Sequence, residues 1–266
     1  MAANENEHLQ LNLGSLRSAM SLTLHTHHAS RIWHGRARSE GKSGIVGLNG
    51  FIGITNKIKR GAEQDDPYSD WWMLRIEEKL EQTKATLQSL HEQVEMALSG
   101  VPGAISLGEN LNVQPVRLPL FVNAQLGFAA VYLLAEYDDI ARKLILAHHT
   151  ALIDRSTLER WLHEGAHSLR SLFTLAQQYR YSGCVRDDFA AKNAAAREAI
   201  EKFGELPQDV LEGVRRSRFA PPITRRGQQP RSEPVEPREV VEEQAVEEDV
   251  AGHDVTHGTE DGEATV

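Results

Sequence analysis

The chain has 266 residues, of which 40% are hydrophobic and 25% charged, and its formal net charge is −9. No stretch approaches the roughly 18 consecutive apolar residues of a membrane span, and the first eight residues are polar and acidic where a secretory leader is basic and then apolar, so we expect a cytoplasmic protein with no membrane partner. Cys184 is the single cysteine, which excludes an intramolecular disulfide, and we expect it to be a small buried apolar group.

The negative charge is concentrated at the C-terminus. Residues 232–266 contain 12 acidic residues and one arginine, a charge of −11, whereas the preceding 231 residues contain 28 basic and 26 acidic residues. From residue 224 onward the chain is rich in Pro, Glu, Gln and Val without a sustained apolar period, so it cannot bury enough surface to offset the entropy of ordering. We predict a disordered acidic tail over 224–266 and a flexible N-terminus over 1–15.

Apolar and polar residues alternate from Met20 to His25. This period of two is typical of a half-buried strand, with Ser21, Thr23 and His25 on the face that is free for contacts. Two such strands paired across a dimer axis form a ribbon that fits the major groove. The pattern therefore favours a homodimer that contacts the bases of double-stranded DNA through these three side chains, and the alternative is a strand that only covers a core.

A basic segment follows the strand. Residues 31–60 contain seven lysines and arginines against one glutamate, which suits contacts to DNA phosphates. We expect Arg17, Arg31, Lys42 and Ser43 to make such contacts. A solvated loop face is the alternative explanation of the charge.

The residues after Ser43 can form a helix over about 45–59. Ser43 is a suitable N-cap, and Ile45, Leu48 and Ile52 share one face. Four glycines, at positions 44, 47, 50 and 53, each cost about 1 kcal/mol in a helix relative to alanine. The helix therefore needs tertiary support, and a loop is the alternative.

A turn with helix-start chemistry at residues 65–68 precedes a long helix over 69–98. Its apolar positions alternate in steps of three and four, as in the seam of a coiled coil. The seam residues are Met73, Ile76, Leu80, Thr83, Leu87, Leu90, Val94 and Ala97. The pattern requires a partner helix, in a second copy or in the same chain.

The remaining chain predicts an extended or loop segment over 107–119 and then further helices. The expected helices are 120–137, a second with its buried stripe from Ile140 to Leu152, a third that opens with a capping box at Ser156–Glu159 and runs towards Tyr179, and a fourth over about 187–203. The predicted fold is mainly α, a helical body with one short N-terminal strand and a long coiled-coil-like helix.

Two histidine patterns could bind metal. His163, Glu164 and His167 match the H-E-x-x-H arrangement of zinc proteases, but no downstream carboxylate lies near enough in sequence to serve as a third ligand, and Gly165 weakens the helix that would hold the ligands. His25, His27, His28 and His34 lack a cysteine or carboxylate that would complete a ligand set. We therefore expect no metal and no other cofactor.

Five blocks of the sequence resemble a known family. They are Leu22–Thr26, Ile32–Arg36, Asp65–Tyr68, Phe203–Pro207 and Arg216–Pro222. Through them the chain, from about Leu16 to Arg226, is similar to the integrating conjugative element proteins that are grouped with the AcaB-like transcriptional regulators. The resemblance implies a mobile-element gene product that binds DNA through a ribbon-helix-helix module.

In such a module the strand pairs with its copy, a first helix follows, and a turn opens a second helix whose N-terminal amides hold a phosphate. Residues 20–26, 28–34, 41–43 and 45–59 take these places in order. The corresponding domains are a ribbon-helix-helix-like module over 16–62 and a helical body over 63–223.

The leading hypothesis is a non-enzymatic, nucleoid-associated regulator of conjugative transfer genes, with other conjugative-element proteins as further candidate partners. The first alternative is an accessory or structural protein of the transfer machinery. The second is a zinc metalloprotease that uses His163, Glu164 and His167.

Overall fold

A computed structural model describes residues 19–39 and 44–224. The predicted flexible N-terminus and acidic tail, together with Arg17, Lys42 and Ser43, lie outside the described residues. The helices are α1 (His27–His34), α2 (Leu48–Glu63), α3 (Pro67–Leu98), α4 (Gln125–His149), α5 (Arg155–Gln177), α6 (Arg186–Ala190), α7 (Ala194–Phe203) and α8 (Gln208–Leu211). The strands are β1 (Met20–Leu24), β2 (Gly35–Arg36), β3 (Ile45–Val46) and β4 (Val116–Leu120).

The predicted mainly α fold is therefore confirmed, but the described residues contain four short strands where the sequence indicated one. No helix within 19–39 or 44–224 is long and apolar enough to cross a membrane.

The long helix α3 is the centre of the core. Asp66 caps it by accepting the Tyr68 amide at 3.0 Å, and Pro67 occupies its first turn, as the turn chemistry of this segment predicts. The predicted seam from Met73 to Val94 is buried, and α3 packs against α2, α4 and α5. The partner that the seam requires is thus supplied by the same chain.

Helix α4 spans most of two predicted helices. Residues 125–149 are continuous, because apolar positions on both sides of Tyr137 face the same core and no helix breaker separates them. Helix α5 begins two residues earlier than the capping box at Ser156 predicts. Its N-cap is Asp154, which accepts the Thr157 amide at 3.0 Å and the Ser156 hydroxyl at 2.7 Å.

Helix α2 begins three residues later than predicted, because residues 45 and 46 form β3 instead. Strand β3 pairs antiparallel with β2, with Gly35 opposite Val46. Gly47, and not Ser43, is the N-cap of α2. A Cβ atom at Gly47 would lie 2.2 Å from the carbonyl oxygen of Trp33, so glycine permits the close approach of the two backbones.

The predicted helix over 187–203 is two helices. Lys192 has a φ of 47° and Asn193 caps the second helix by accepting the Ala196 amide, so the chain turns between α6 and α7. The C-terminal segment is tied to α3 by the fully buried carboxylate of Asp70, whose oxygens accept hydrogen bonds from Arg186 at 2.6 Å and from Arg216 at 2.8 and 3.0 Å. Cys184 is buried as expected.

The residues of the predicted N-terminal module share the core of the helical body. Leu24 of β1, Ile32 of α1 and Phe51 of α2 belong to the same buried cluster as Met73 of α3 and Leu134 of α4. Helices α1 and α2 are therefore packed against α3 and α4 of the same chain through one hydrophobic core.

Candidate nucleic-acid interface

Strands β1 and β4 form a two-stranded antiparallel ribbon within one chain. Leu22 and Leu24 are 8% and 1% exposed and face the core, as the alternation in this segment predicts. Thr23 lies opposite Arg117 and Ser21 lies opposite a proline, and all four of these side chains are exposed. Because directly opposed residues share a face of the sheet, the outer face presents two hydroxyl groups and one guanidinium.

This pairing corrects the expectation that the N-terminal strand pairs with its copy, because β1 pairs with β4 instead. The ribbon-helix-helix arrangement requires β1 to pair with its copy, whereas here its neighbour is β4, almost one hundred residues away in the sequence. The register from Met20 opposite Leu120 to Leu24 opposite Val116 extends over the whole length of both strands. The ribbon therefore forms without a second copy of the chain.

Arg117 is a candidate contact residue that the sequence reasoning missed. Pro119 favoured a loop, because proline cannot donate to a sheet ladder. An edge strand tolerates proline where its nitrogen faces away from the neighbouring strand, and β4 is such a strand among the described residues. The available signal was the alternation in Val116–Leu120, which places Arg117 and Pro119 on one face.

The buried carboxylate of Asp138 on α4 holds the corner between β1 and α1. Its Oδ2 accepts the amide of His25 at 2.9 Å, and its Oδ1 accepts the amide and the hydroxyl of Thr26 at 2.8 and 2.6 Å. The Thr26 Oγ1 in turn accepts the Ala29 amide as the N-cap of α1. Asp138 is only 3% exposed, so a buried residue of α4 fixes the orientation of β1 relative to α1.

His25 lies at this corner and is half-buried. Its Nδ1 accepts the Asn112 amide at 3.1 Å, and its carbonyl oxygen accepts the Asn112 side-chain amide at 3.0 Å. A neutral imidazole that accepts through Nδ1 carries its proton on Nε2. One ring nitrogen of His25 thus binds the backbone at Asn112, which leaves Nε2 as the candidate donor of this side chain.

The predicted site residues fall into two groups. Ser21 and Thr23 are together on the outer face of the ribbon, with His25 at its end. Arg31 is exposed on α1 and lines a cleft with Arg36 of β2 and Arg170 of α5. Arg170, which adds positive charge beside the predicted phosphate contacts, carries no distinguishing local pattern in the sequence.

The histidine patterns do not assemble a metal centre in the described part of the chain. His163 and His167 lie one turn apart on α5 with their rings stacked, 6.1 Å between centroids. Across 19–39 and 44–224, no group of three or more His, Cys, Asp or Glu residues is arranged to hold a metal ion. Gly165 has a packing role, because a Cβ atom there would lie 2.8 Å from two ring carbons of Tyr137.

The sequence model of the family described as "Transcriptional regulator AcaB" matches residues 12–224, which is most of the chain. The chain belongs to the AcaB family of transcriptional regulators. The family description names a regulator and no catalytic activity. The described ribbon, the corner at Asp138 and the arginines of the cleft all lie within the matched residues.

Among solved structures, the chain is similar to the crystal structure of selenomethionine-containing AcaB from uropathogenic E. coli. The two share 13% sequence identity with a TM-score of 0.47, and the alignment covers 74% of this chain and 98% of the other. No curated protein sequence matches this chain.

Proposed function

We propose that this AcaB-family protein is encoded by an integrative and conjugative element and controls its transfer genes by binding double-stranded DNA through the outer face of the β1–β4 ribbon. The observation that carries the proposal is the register that places Thr23 opposite Arg117 on an exposed sheet face. The opposite face is part of the hydrophobic core, so only the outer face is free to meet a ligand.

The chemistry of this face suits direct contact with base edges. The major groove is about 12 Å wide and admits a two-stranded ribbon. A guanidinium can donate two parallel hydrogen bonds to O6 and N7 of guanine, and a hydroxyl group can donate or accept. Arg117 and Thr23 are cross-strand neighbours, with Cβ atoms roughly 4.5–5.5 Å apart in such pairs, so they can reach adjacent base pairs.

Phosphate contacts from the flanking basic residues complete the proposed interface. Arg31 is exposed on the helix that follows the ribbon directly, and we propose Arg17, Lys42 and Ser43 as further contacts. Such contacts supply affinity that is independent of sequence and falls with salt. They position the ribbon, and the base contacts select the site.

Dimerisation is a further part of the proposal. Within the described residues β1 pairs along one edge only, and an unpaired edge presents backbone groups that can pair with another strand. We propose that two copies pair through this edge of β1. Sedimentation at micromolar concentration should give a dimer, and a strictly monomeric particle would remove this part of the proposal while leaving DNA binding by one ribbon.

The test is a fluorescence anisotropy titration with promoter DNA of the transfer genes and with random DNA, at several salt concentrations. Thr23→Ala and Arg117→Ala should each cost about 1–3 kcal/mol on the cognate site and have little effect on random DNA, because each removes a base contact. Lys42→Ala should weaken binding to both DNAs and lower the salt slope by about one. Arg197→Ala, which removes an exposed arginine from α7, is the matched control and should leave both affinities unchanged.

Chromatin immunoprecipitation in a host that carries the element identifies the promoters to use. If all variants retained wild-type affinity on every DNA, the ribbon would be a scaffold. Copurification of transfer proteins without any DNA affinity would support the accessory-protein alternative instead.

A further inference from the structure

An open cleft of about 490 Å³ lies between α1 and α5, beside the β2–β3 hairpin. Its walls are basic. Arg31 and His28 come from α1, Arg36 comes from β2, and His163 and Arg170 come from α5. Basic residues from three separate elements therefore converge on one concave surface.

The floor of the cleft is apolar. Ile32, Val46, Leu162 and Ala166 contribute to it, together with the ring of Tyr137. The Tyr137 hydroxyl donates to the carbonyl oxygen of Leu162 at 3.0 Å, so this ring is held in place. A ligand of the cleft would thus meet an apolar surface below and positive charge at the sides.

Two of the basic residues of the cleft, Arg31 and Arg170, have little compensation from carboxylates of the described part of the chain. Glu159 is the acidic residue among the described lining residues, and Arg155 binds its Oε1 at 2.7 Å. No carboxylate of the described residues forms an ion pair with Arg31 or Arg170. The pKa of His28 is lowered chiefly by its burial and further by the neighbouring His27 and Arg31. An anion would relieve the mutual repulsion of these groups.

We propose that this cleft binds a small organic phosphate of the nucleoside monophosphate class, with the phosphate held by Arg31 and Arg170 and one face of the flat nucleobase lying on the apolar floor. A volume of about 490 Å³ is within the range of roughly 300–1,000 Å³ that is typical of small-molecule sites. Arginine is the side chain best suited to bidentate binding of phosphate. A DNA backbone, by contrast, presents charged phosphates and polar sugars, which would not bury against the apolar floor of a cleft.

This site shares Arg31 with the proposed phosphate contacts and is joined to the ribbon through α1. Helix α1 supplies Arg31 and His28 to the cleft, and its N-cap, Thr26, is part of the corner that orients β1. A ligand that draws Arg31 and Arg170 together therefore acts on the helix adjacent to the ribbon. DNA affinity can differ between the free and liganded protein only to the extent that the ligand prefers one position of α1.

The test is isothermal titration calorimetry of the full chain with the four ribonucleoside 5′-monophosphates, and with adenosine and inorganic phosphate as the separate parts. We expect saturable binding of at least one monophosphate, tighter than either part alone. Arg31→Ala and Arg170→Ala should each weaken it about tenfold or more, since each removes a charge-assisted contact. Arg160→Ala, at an exposed position of α5 outside the cleft, is the matched control and should bind as the wild type does.

Circular dichroism of each variant establishes that it is folded before the titration. The absence of saturable binding by all four monophosphates would overturn the proposal, as would equal binding by the wild type and both cleft variants. The proposal would also be overturned if the wild type bound no monophosphate while Arg31→Ala and Arg170→Ala both lost DNA affinity. That combination would indicate that the cleft contacts DNA phosphates. The calorimetric result does not depend on whether Thr23→Ala and Arg117→Ala affect DNA binding. The two proposals can therefore fail independently of each other.

Discussion

Replacement of Asp138 by asparagine tests whether a core carboxylate holds the corner between β1 and α1. The substitution keeps the shape of the side chain and one carbonyl oxygen. If that oxygen stays at the position of Oδ1, it can still accept both hydrogen bonds from Thr26, but the new amide group faces the His25 amide. Two donors then oppose each other, and a half-buried N–H is left without an acceptor.

The expected loss follows from these three hydrogen bonds. A hydrogen bond to a charged group contributes about 1.5–3 kcal/mol, and an unsatisfied buried donor costs about 1–3 kcal/mol. The two remaining bonds also weaken, because bonds to an ionised acceptor are roughly twice as strong as neutral ones. The smaller desolvation cost of the neutral amide offsets part of this loss. We expect Asp138→Asn to lower the free energy of unfolding by roughly 2–4 kcal/mol.

The neighbouring residue provides the control. Asp139 is 32% exposed and forms ion pairs with Arg142 at 2.6 Å and Lys143 at 3.0 Å on the same helix. Ion pairs that remain in contact with solvent contribute about 0.2–1 kcal/mol each, so Asp139→Asn should have a smaller effect than Asp138→Asn.

Urea unfolding followed by circular dichroism measures both variants, and amide hydrogen exchange at His25 and Thr26 shows whether the corner has opened. Equal losses for Asp138→Asn and Asp139→Asn, or unchanged exchange at the corner, would refute the reasoning.

Three further predictions concern packing, pH and charge. Gly165→Ala should destabilise the protein by about 1–3 kcal/mol, because the new Cβ would lie 2.8 Å from the buried ring of Tyr137 and overpacking outweighs the better helix propensity. Gly53→Ala, where nothing lies within 4 Å, should stabilise it by about 0.5–1 kcal/mol, and thermal denaturation compares the two. Hydrogen bonds from the neighbouring threonine and serine lower the pKa of Asp154 to about 2, below its value in the unfolded chain. The stabilisation by Asp154 is therefore complete above the unfolded pKa and is lost as the pH falls through the folded pKa. Asp154→Ala should lower the melting temperature at pH 7, and the difference from the wild type should shrink as the pH falls towards about 2. Deletion of residues 232–266 removes a charge of −11 and should raise the affinity for random DNA at low salt without changing the melting temperature, and a lower melting temperature would contradict our interpretation of this segment as a tail.

Most of the local structure could be predicted from periodicity and end signals. The steps of three and four along 73–94 indicated α3, and alternation indicated β1, because each pattern follows from the geometry of its own element. Errors occurred where two local signals competed. Pro119 favoured a loop where the chain forms β4. The glycines near residue 47 indicated a weak helix, whereas Gly47 permits the close approach of its backbone to that of Trp33.

The candidate interface was predicted in part. Ser21 and Thr23 are on the exposed face because strand geometry alone separates them from Leu22 and Leu24. Arg117 could not be placed beside Thr23 without the register between β1 and β4. That register depends on which hydrophobic faces meet in the core, and no local propensity contains this information.

The sequence by itself determined most of the helical segments, which face of β1 is polar, and where the basic and acidic charges lie, because these properties depend on residues only a few positions apart. Tertiary structure alone decided that β1 pairs with β4, that the seam of α3 is covered by α4 and α5, and that Asp138 fixes the corner 112 residues away at Thr26. Contacts of this kind require closure of long loops, and they form only when many apolar side chains are buried together. Their partners are therefore selected by the packing of the whole core.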